Sequence, residues 1–399
     1  MSTRVFVHVG TPKTGTSYLQ DVLYRNGGVL ARSGIAFPAG RFDDHFLAAL
    51  DLMRLPWGGL EAHAVGAWDR LAEQVRAWDG TAIVSHEILA AATRSQAARA
   101  LASFGPDAEV HLVLSARDLV RQIPAEWQEN VKHRRTLGYA AFLRRIQDPE
   151  RATKLASWFW SVQELPDILE RWGASLPPER VHVVTVPRPG APRDLLWTRF
   201  SRVFGLDGLP LDLTADRSNP SLGVPETHLL LRVNRRVVRD LEPEDYRHLV
   251  RELLAHRTLS RLTASPRLAL PPRVHPWAVE VSQRWIAELT RRGYDVVGDL
   301  DDLRGAPPGE YADPGRPSQR QVAAAAVEAI AALLEEAARL REVEQRLLRE
   351  REETEREATG RVRRTAERTV RGMQREPVGR ALLRGYRWVR GRSRSSRSA

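Results

Sequence analysis

The residues best suited to chemistry lie near the start of the chain. Arg4 to Val9 is a β-branched, alternating run; Gly10, Thr11, Pro12, Lys13, Thr14 and Gly15 follow as a turn; Thr16 to Gln20 opens a helical pattern with leucines at 19 and 23. A strand, a glycine-bounded turn and a helix start converge backbone N–H groups on one point, where the helix dipole adds positive potential. An anion such as phosphate is favoured there. Lys13 adds a full charge, and the Thr16 and Ser17 hydroxyls can donate hydrogen bonds. The run is not G-x-x-x-x-G-K-[ST], because Thr16 follows Gly15 and the lysine sits inside the turn. The plainer reading is a strand–turn–helix whose Thr and Ser cap the helix.

Two more strand ends carry candidate groups. His86 and Glu87 follow Thr81 to Ser85; neighbours in sequence point differently, so at most one serves as a base. Arg117 and Asp118 follow Val110 to Ser115, and a guanidinium offers phosphate a bidentate fork. Their plainer uses are a helix cap or arginine partner for Glu87 and a surface ion pair for Arg117. Parallel α/β sheets gather ligands at strand C-termini, so the turn at His86–Glu87 is expected to face the crevice of Gly10–Ser17. Residues 125–160 add Trp127, Lys132, His133, Arg134, Arg135, Tyr139, Arg144, Arg145, Trp158 and Trp160. Rings and cations together suit a polyhydroxylated or anionic ligand, although most of these tryptophans fall in helical, core-type patterns. His-Glu-x-x-His, Asp-rich loops and Gly-x-Ser-x-Gly are absent, so neither a metal site nor a serine hydrolase is expected.

The elements that must position these groups alternate. A fourth strand is expected at Val181–Val186, and helices at Trp68–Trp78, Ala97–Phe104, Gln122–Lys132 and Ser157–Trp172. Strands recurring between helices imply βαβ units and a three-layer α/β body with a parallel sheet. The expected domains are a body at 1–303, a Pro/Gly-rich linker at 304–319, a long charged helix at 320–370 and a basic tail at 371–399. Ile330, Leu333, Ala337, Leu340 and Leu347 fall at heptad-like spacing, interrupted by Glu344 and Arg351.

Composition narrows the class. Of 399 residues, 42% are hydrophobic, enough for a real core, and none is cysteine, which removes disulfides and thiolate chemistry. Residues 361–399 hold 13 arginines against Glu367 and Glu376, which equals the whole chain's charge of +11. The body is therefore balanced and the basicity belongs to the tail. Only Lys13, Lys132 and Lys154 are lysines among 61 basic residues, so a lysine inside a turn is informative where an arginine is not. No stretch is long and apolar enough for a transmembrane helix, and no signal peptide is read at the start. A soluble, cytoplasmic protein is expected, peripheral to the inner membrane face if the tail binds lipid.

Pro12-Lys13-Thr14-Gly15-Thr16-Ser17 resembles the 5′-phosphosulfate loop of the sulfotransferase family, enzymes that use 3′-phosphoadenylyl sulfate (PAPS). That loop reads Pro-Lys-[Ser/Thr]-Gly-Thr-[Ser/Thr] after a strand, and every position matches. The resemblance covers about residues 4–235 and implies a P-loop-like sulfotransferase fold. It implies that Pro12 to Ser17 hold the donor's 5′ end, with Lys13 beside the bridging oxygen, and that Arg117 holds the 3′-phosphate. Where the family has a proline and a serine after its arginine, this chain has Leu119 and Ala125; Ser115, Arg121 or Gln128 could replace the lost hydroxyl. Asn219-Pro-Ser221-Leu222 is similar to an Asn-x-Ser-Leu segment of bacterial-type members, which implies a loop closing over the nucleotide with Ser221 at it. Related enzymes place a catalytic glutamate or histidine near the end of the strand here at Thr81–Ser85, which favours Glu87 and keeps His86 as the alternative.

The leading expectation is sulfuryl transfer from PAPS, without metal, to a hydroxyl of a carbohydrate, lipid or other small molecule. Its rivals are a P-loop kinase with an altered loop, which would need ATP and Mg²⁺, and a nucleotide-binding scaffold without catalysis. For partners, the tail suits an anionic membrane surface or an acidic partner, and the 320–370 helix a homodimer.

Overall fold

The computed structural model describes residues 4–214, 221–262 and 264–375, with 378–379, 381–382 and 384–386 beyond them; the side chains of 363 and 374 are not described. Six strands form one parallel sheet: β1 (Arg4–His8), β2 (Ile35–Ala36), β3 (Thr81–Ser85), β4 (Glu109–Ala116), β5 (Val181–Thr185) and β6 (Asp295–Val297). Their order across the sheet is β2-β3-β1-β4-β5-β6. The four strands expected from their β-branched runs are present. β2 and β6 are edge strands of two and three residues, too short to show a period.

Alternation along each strand fills both faces. Val5, Val7, Val84, Leu112, Leu114 and Val183 join the larger core. Phe6, Ile83, Val113 and Val184 join a smaller one, closed by Leu19 and Leu23 of the helix Thr16–Arg25 and by Phe200 and Phe204 of the helix Leu195–Phe204. This is the three-layer α/β arrangement, in which each fully buried Leu or Phe stabilises by about 1.5–3 kcal/mol. The single helix expected over Ser157–Trp172 is two, Lys154–Gln163 and Leu165–Gly173, parted at an extended Glu164. Pro166 is the cause: its ring would clash with the carbonyl of Val162 in a continuous helix.

Register brings the ends of β1 and β3 level, while β4 runs three residues further, to Ala116. His8 of β1 lies opposite Ser85 of β3 and Val113 of β4. The chain turns left from β1 to β3 and right to β4, so β1 sits at the topological switch, where open α/β sheets place ligands.

The compact body runs to Ile330, past the Pro/Gly-rich stretch, and Val322, Ala325 and Ala329 are buried in it. The long helix spans Gln319–Arg375. Its portion from Ala331 belongs to a second unit in which Leu334, Leu340, Leu347 and Leu348 are exposed, and local pairs such as Glu336–Arg339 and Arg351–Glu355 line the surface. Among the described residues, no helix is long and apolar enough to cross a membrane.

Candidate functional site

Gly10, Lys13 and Gly15 all carry positive φ, at 109°, 65° and 91°, and turn the backbone sharply between β1 and the helix Thr16–Arg25. At Gly10 a Cβ would lie 2.8 Å from the Glu87 carbonyl oxygen, so only glycine lets the two turns approach. The Thr14 hydroxyl is buried and committed inward, donating to the Thr11 carbonyl and sharing a hydrogen bond with Ser115. Two tethers fix the turn from outside: Arg117 Nη1 donates to the Lys13 carbonyl at 3.1 Å, and Gln122 donates to the Pro12 carbonyl.

The helix start is open. Gly15 is its N-cap and supplies no side-chain cap. Among the described residues, the backbone N–H groups of Lys13 and of Gly15 to Tyr18 and the hydroxyls of Thr16 and Ser17 have no hydrogen-bond partner. Capping by Thr16 or Ser17, the plainer reading, does not occur. Several amides and two hydroxyls thus remain for an external acceptor.

Lys13 Nζ lies 2.9 Å from Glu129 Oε2, with both side chains about one-fifth exposed. Glu129 belongs to the helix Leu119–Lys132, which the sequence suggested only from Gln122 onward. Asp118 caps this helix by accepting from the Arg121 N–H at 2.9 Å. Its inner face carries a polar stripe of Gln122, Glu126 and Glu129, continued by His133 just past its end. Gln163 accepts from Gln122 at 3.0 Å and donates to Glu126 Oε1 at 3.1 Å. Burial, reinforced by Glu129 and Glu87 and opposed by Lys13, pushes the Glu126 carboxyl up to about 7. Burial would raise Glu129 as well, but Lys13 and His133 hold it well below the usual carboxylate range. Lys132 is buried and drawn down to about 8 by burial, with Glu129 opposing. Arg251 and His256 are the further charged and titratable neighbours on that side.

On the other side stands the end of β3. Glu87 Oε2 accepts from Gln20 Nε2 at 3.1 Å and is 3.9 Å from His86 Nε2. Burial raises the Glu87 carboxyl, but His86, hydrogen bonds and Lys13 outweigh it, and the net shift is downward. His86 Nδ1 caps the following turn by accepting from the Ile88 N–H at 3.3 Å. In the neutral ring that places the proton on Nε2, which lies 3.9 Å from Glu87 and beyond hydrogen-bond reach, and leaves the ring no free nitrogen to accept a proton.

The structure therefore brings Lys13, Glu87 and Arg117 together just past the ends of β1, β3 and β4. Arg117 is drawn down to about 10 by burial and by Arg121, and its Nε is buried without a partner among the described residues. A guanidinium tied to the Lys13 carbonyl, with one nitrogen still unpartnered among the described residues, is of a chemistry that could hold a phosphate oxygen. The three side chains considered as substitutes for a serine at Ala125 are engaged elsewhere. Ser115 bonds His8 and the Gly10 carbonyl, Arg121 pairs with Asp118 and bonds Pro187, and Gln128 bonds the backbone of Leu222 and Thr227 Oγ1. Ser221 is exposed, next to Leu222, which Gln128 ties down; Asn219 lies outside the described residues.

Of the aromatic and cationic stretch, Trp127, Tyr139 and Trp160 are core, and Arg135, Arg144 and Arg145 are exposed. Trp158 is half-buried and faces Trp57 at 6.3 Å; Trp57 in turn meets Phe46 at 5.7 Å and His133 at 6.3 Å, while Phe46 packs on His86 at 5.1 Å. These rings span the two sides of the crevice. Phe46, Trp57, Gln20, Glu126, Glu129 and Gln163 were not singled out from the sequence. One signal was present: polar residues at 122, 126, 129 and 133 recur at the spacing of a buried helix face. Among the described residues no three His, Asp or Glu side chains are grouped to hold a metal ion.

No protein-family model matches the chain, and no curated protein does. A solved sulfotransferase from Alicyclobacillus acidocaldarius is similar at 19% identity and a TM-score of 0.38, over 61% of this chain and 98% of that one.

Proposed function

We propose that the protein binds PAPS at the Lys13 turn and transfers its sulfuryl group to a hydroxyl of a carbohydrate, lipid or other small molecule. The observation that carries this reading is the open helix start: N–H groups of Lys13 and of Gly15 to Tyr18 unpartnered among the described residues, beside a lysine held within the same turn. Pro12 to Ser17 would hold the 5′ end of the donor and Arg117 its 3′-phosphate, with Ser221 on the segment that borders the nucleotide.

When bound, PAPS supplies an activated sulfuryl group. The acceptor oxygen forms the new bond to sulfur, the bond from sulfur to the bridging phosphate oxygen breaks, and that oxygen keeps the electron pair. Lys13 meets the charge that accumulates there, as cations do in phosphoryl transfer. Glu87 receives the acceptor's proton, since its carboxyl is held below its ordinary value and Gln20 orients it, while the accepting nitrogen of His86 is taken by the Ile88 N–H. The rings of Phe46, Trp57 and Trp158 offer the acceptor a stacking wall.

The test is incubation with PAPS and a panel of hydroxylated acceptors, with mass spectrometry of the products. A sulfated product with wild type, formed about 10²–10⁴-fold more slowly with Glu87→Gln, is expected. Phosphorylated products from ATP and Mg²⁺ would favour a kinase, and binding of adenosine 3′,5′-bisphosphate (PAP) without turnover a scaffold. The basic tail and the long helix add two proposals: association with anionic vesicles in low salt, lost on deleting 361–399, and a homodimer through the helix. Residues 387–399 lie outside the described residues.

A further inference from the structure

We propose that Glu129 competes with the nucleotide for Lys13: its carboxylate holds the ammonium, and an incoming phosphate or sulfonate oxygen takes the ammonium over. This deepens the reading above and rests on it.

The geometry favours a handover over a permanent pair. The backbone of the turn is tied by Arg117 and Gln122, so binding need move only the Lys13 side chain. That side chain is one-fifth exposed, and its Nζ sits 2.9 Å from Glu129 Oε2. The rest of the anion site, the amides of 13 and of 15–18, needs no rearrangement.

Glu129 can lose Lys13 without becoming a stranded charge. Its Oε1 lies 3.1 Å from His133 Nε2 and 4.0 Å from Arg251 Nη2, and Lys132 is a further cationic neighbour. Breaking a buried pair is expensive chiefly when it leaves one member uncompensated, and here the His133 ring and the Arg251 and Lys132 cations stay beside the carboxylate. Those same cations become surplus positive charge if the carboxylate is removed.

The opposite role, Glu129 as a brace that pre-positions Lys13, gives the opposite sign. Calorimetric titration with PAP separates the two. The competitor role requires Glu129→Gln to bind PAP about tenfold tighter than wild type at equal ionic strength. Most of the tightening must be lost in Lys13→Ala/Glu129→Gln relative to Lys13→Ala, because only the surplus charge of Arg251 and Lys132 acts without that ammonium. Equal or weaker binding by Glu129→Gln overturns the inference even if wild type still binds PAP better than Lys13→Ala. If Glu129→Gln does not fold, Glu129→Asp withdraws the oxygens by one methylene and shifts affinity in the same direction by less. If wild type does not bind PAP, the nucleotide reading fails; inorganic sulfate, followed by thermal stabilisation, then reads the same competition. Greater stabilisation of Glu129→Gln than of wild type supports the inference, and equal or lesser stabilisation overturns it.

Discussion

The strand-end crevice and the helix beyond Ala331 use the same residue types to different ends. In the crevice, Glu87, Glu126 and Glu129 are enclosed with Lys13, Lys132 and Arg117, and each carboxylate's proton affinity is set by what encloses it. On the helix, glutamate and arginine pair locally across one turn at the surface, while the leucines are what lie open. Burial turns a charge into a chemical instrument; exposure leaves it as a solvating surface.

The sharpest way to break that contrast is catalytic. Glu87→Gln should lower turnover of any sulfated acceptor by about 10²–10⁴-fold with PAP affinity retained, whereas Leu340→Ser/Leu347→Ser should leave turnover unchanged. Comparable turnover in Glu87→Gln and wild type would remove the base.

A smaller effect concerns stability. A carboxyl raised from 4.5 to about 7 binds more protons in the folded than in the unfolded state between those values, so its contribution is present at low pH and is lost as pH rises through 7. Urea unfolding should find Glu126→Gln more stable than wild type by about 2–3 kcal/mol at pH 8 and by much less at pH 5. Glu336→Gln on the helix should shift stability by at most about 0.5 kcal/mol at either pH. A pH-independent difference at Glu126 would show that its carboxyl titrates normally.

Smallest for the body is the effect of the exposed leucines. Leu340→Ser/Leu347→Ser should change body unfolding by less than about 0.5 kcal/mol while abolishing self-association in sedimentation. A monomeric wild type would end the dimer proposal.

The same contrast explains what the sequence disclosed. Four strands and the Lys13 turn were legible because apolar runs and glycines have few other uses, and because lysine is rare in this chain. Glu126 and Glu129 were not, since among 50 acidic residues a glutamate on a helix looks like solvated surface until the fold turns it inward. His86 and Glu87 could be located, and Glu87 was favoured over His86 with no tautomer to argue from, because the tautomer depends on a hydrogen bond from Ile88 that only the folded turn creates. The break at Glu164 followed from Pro166, visible but outweighed by the aromatic pattern around it. β2 and β6 are held by their neighbours' register and carry no pattern of their own.

The account stands on the Lys13 turn as an anion site, and titration of wild type and Lys13→Ala with PAP tests it most directly. Wild type should bind with micromolar-class affinity, about −8 kcal/mol, and Lys13→Ala roughly tenfold or more weakly. Equal affinities in the two proteins would contradict it.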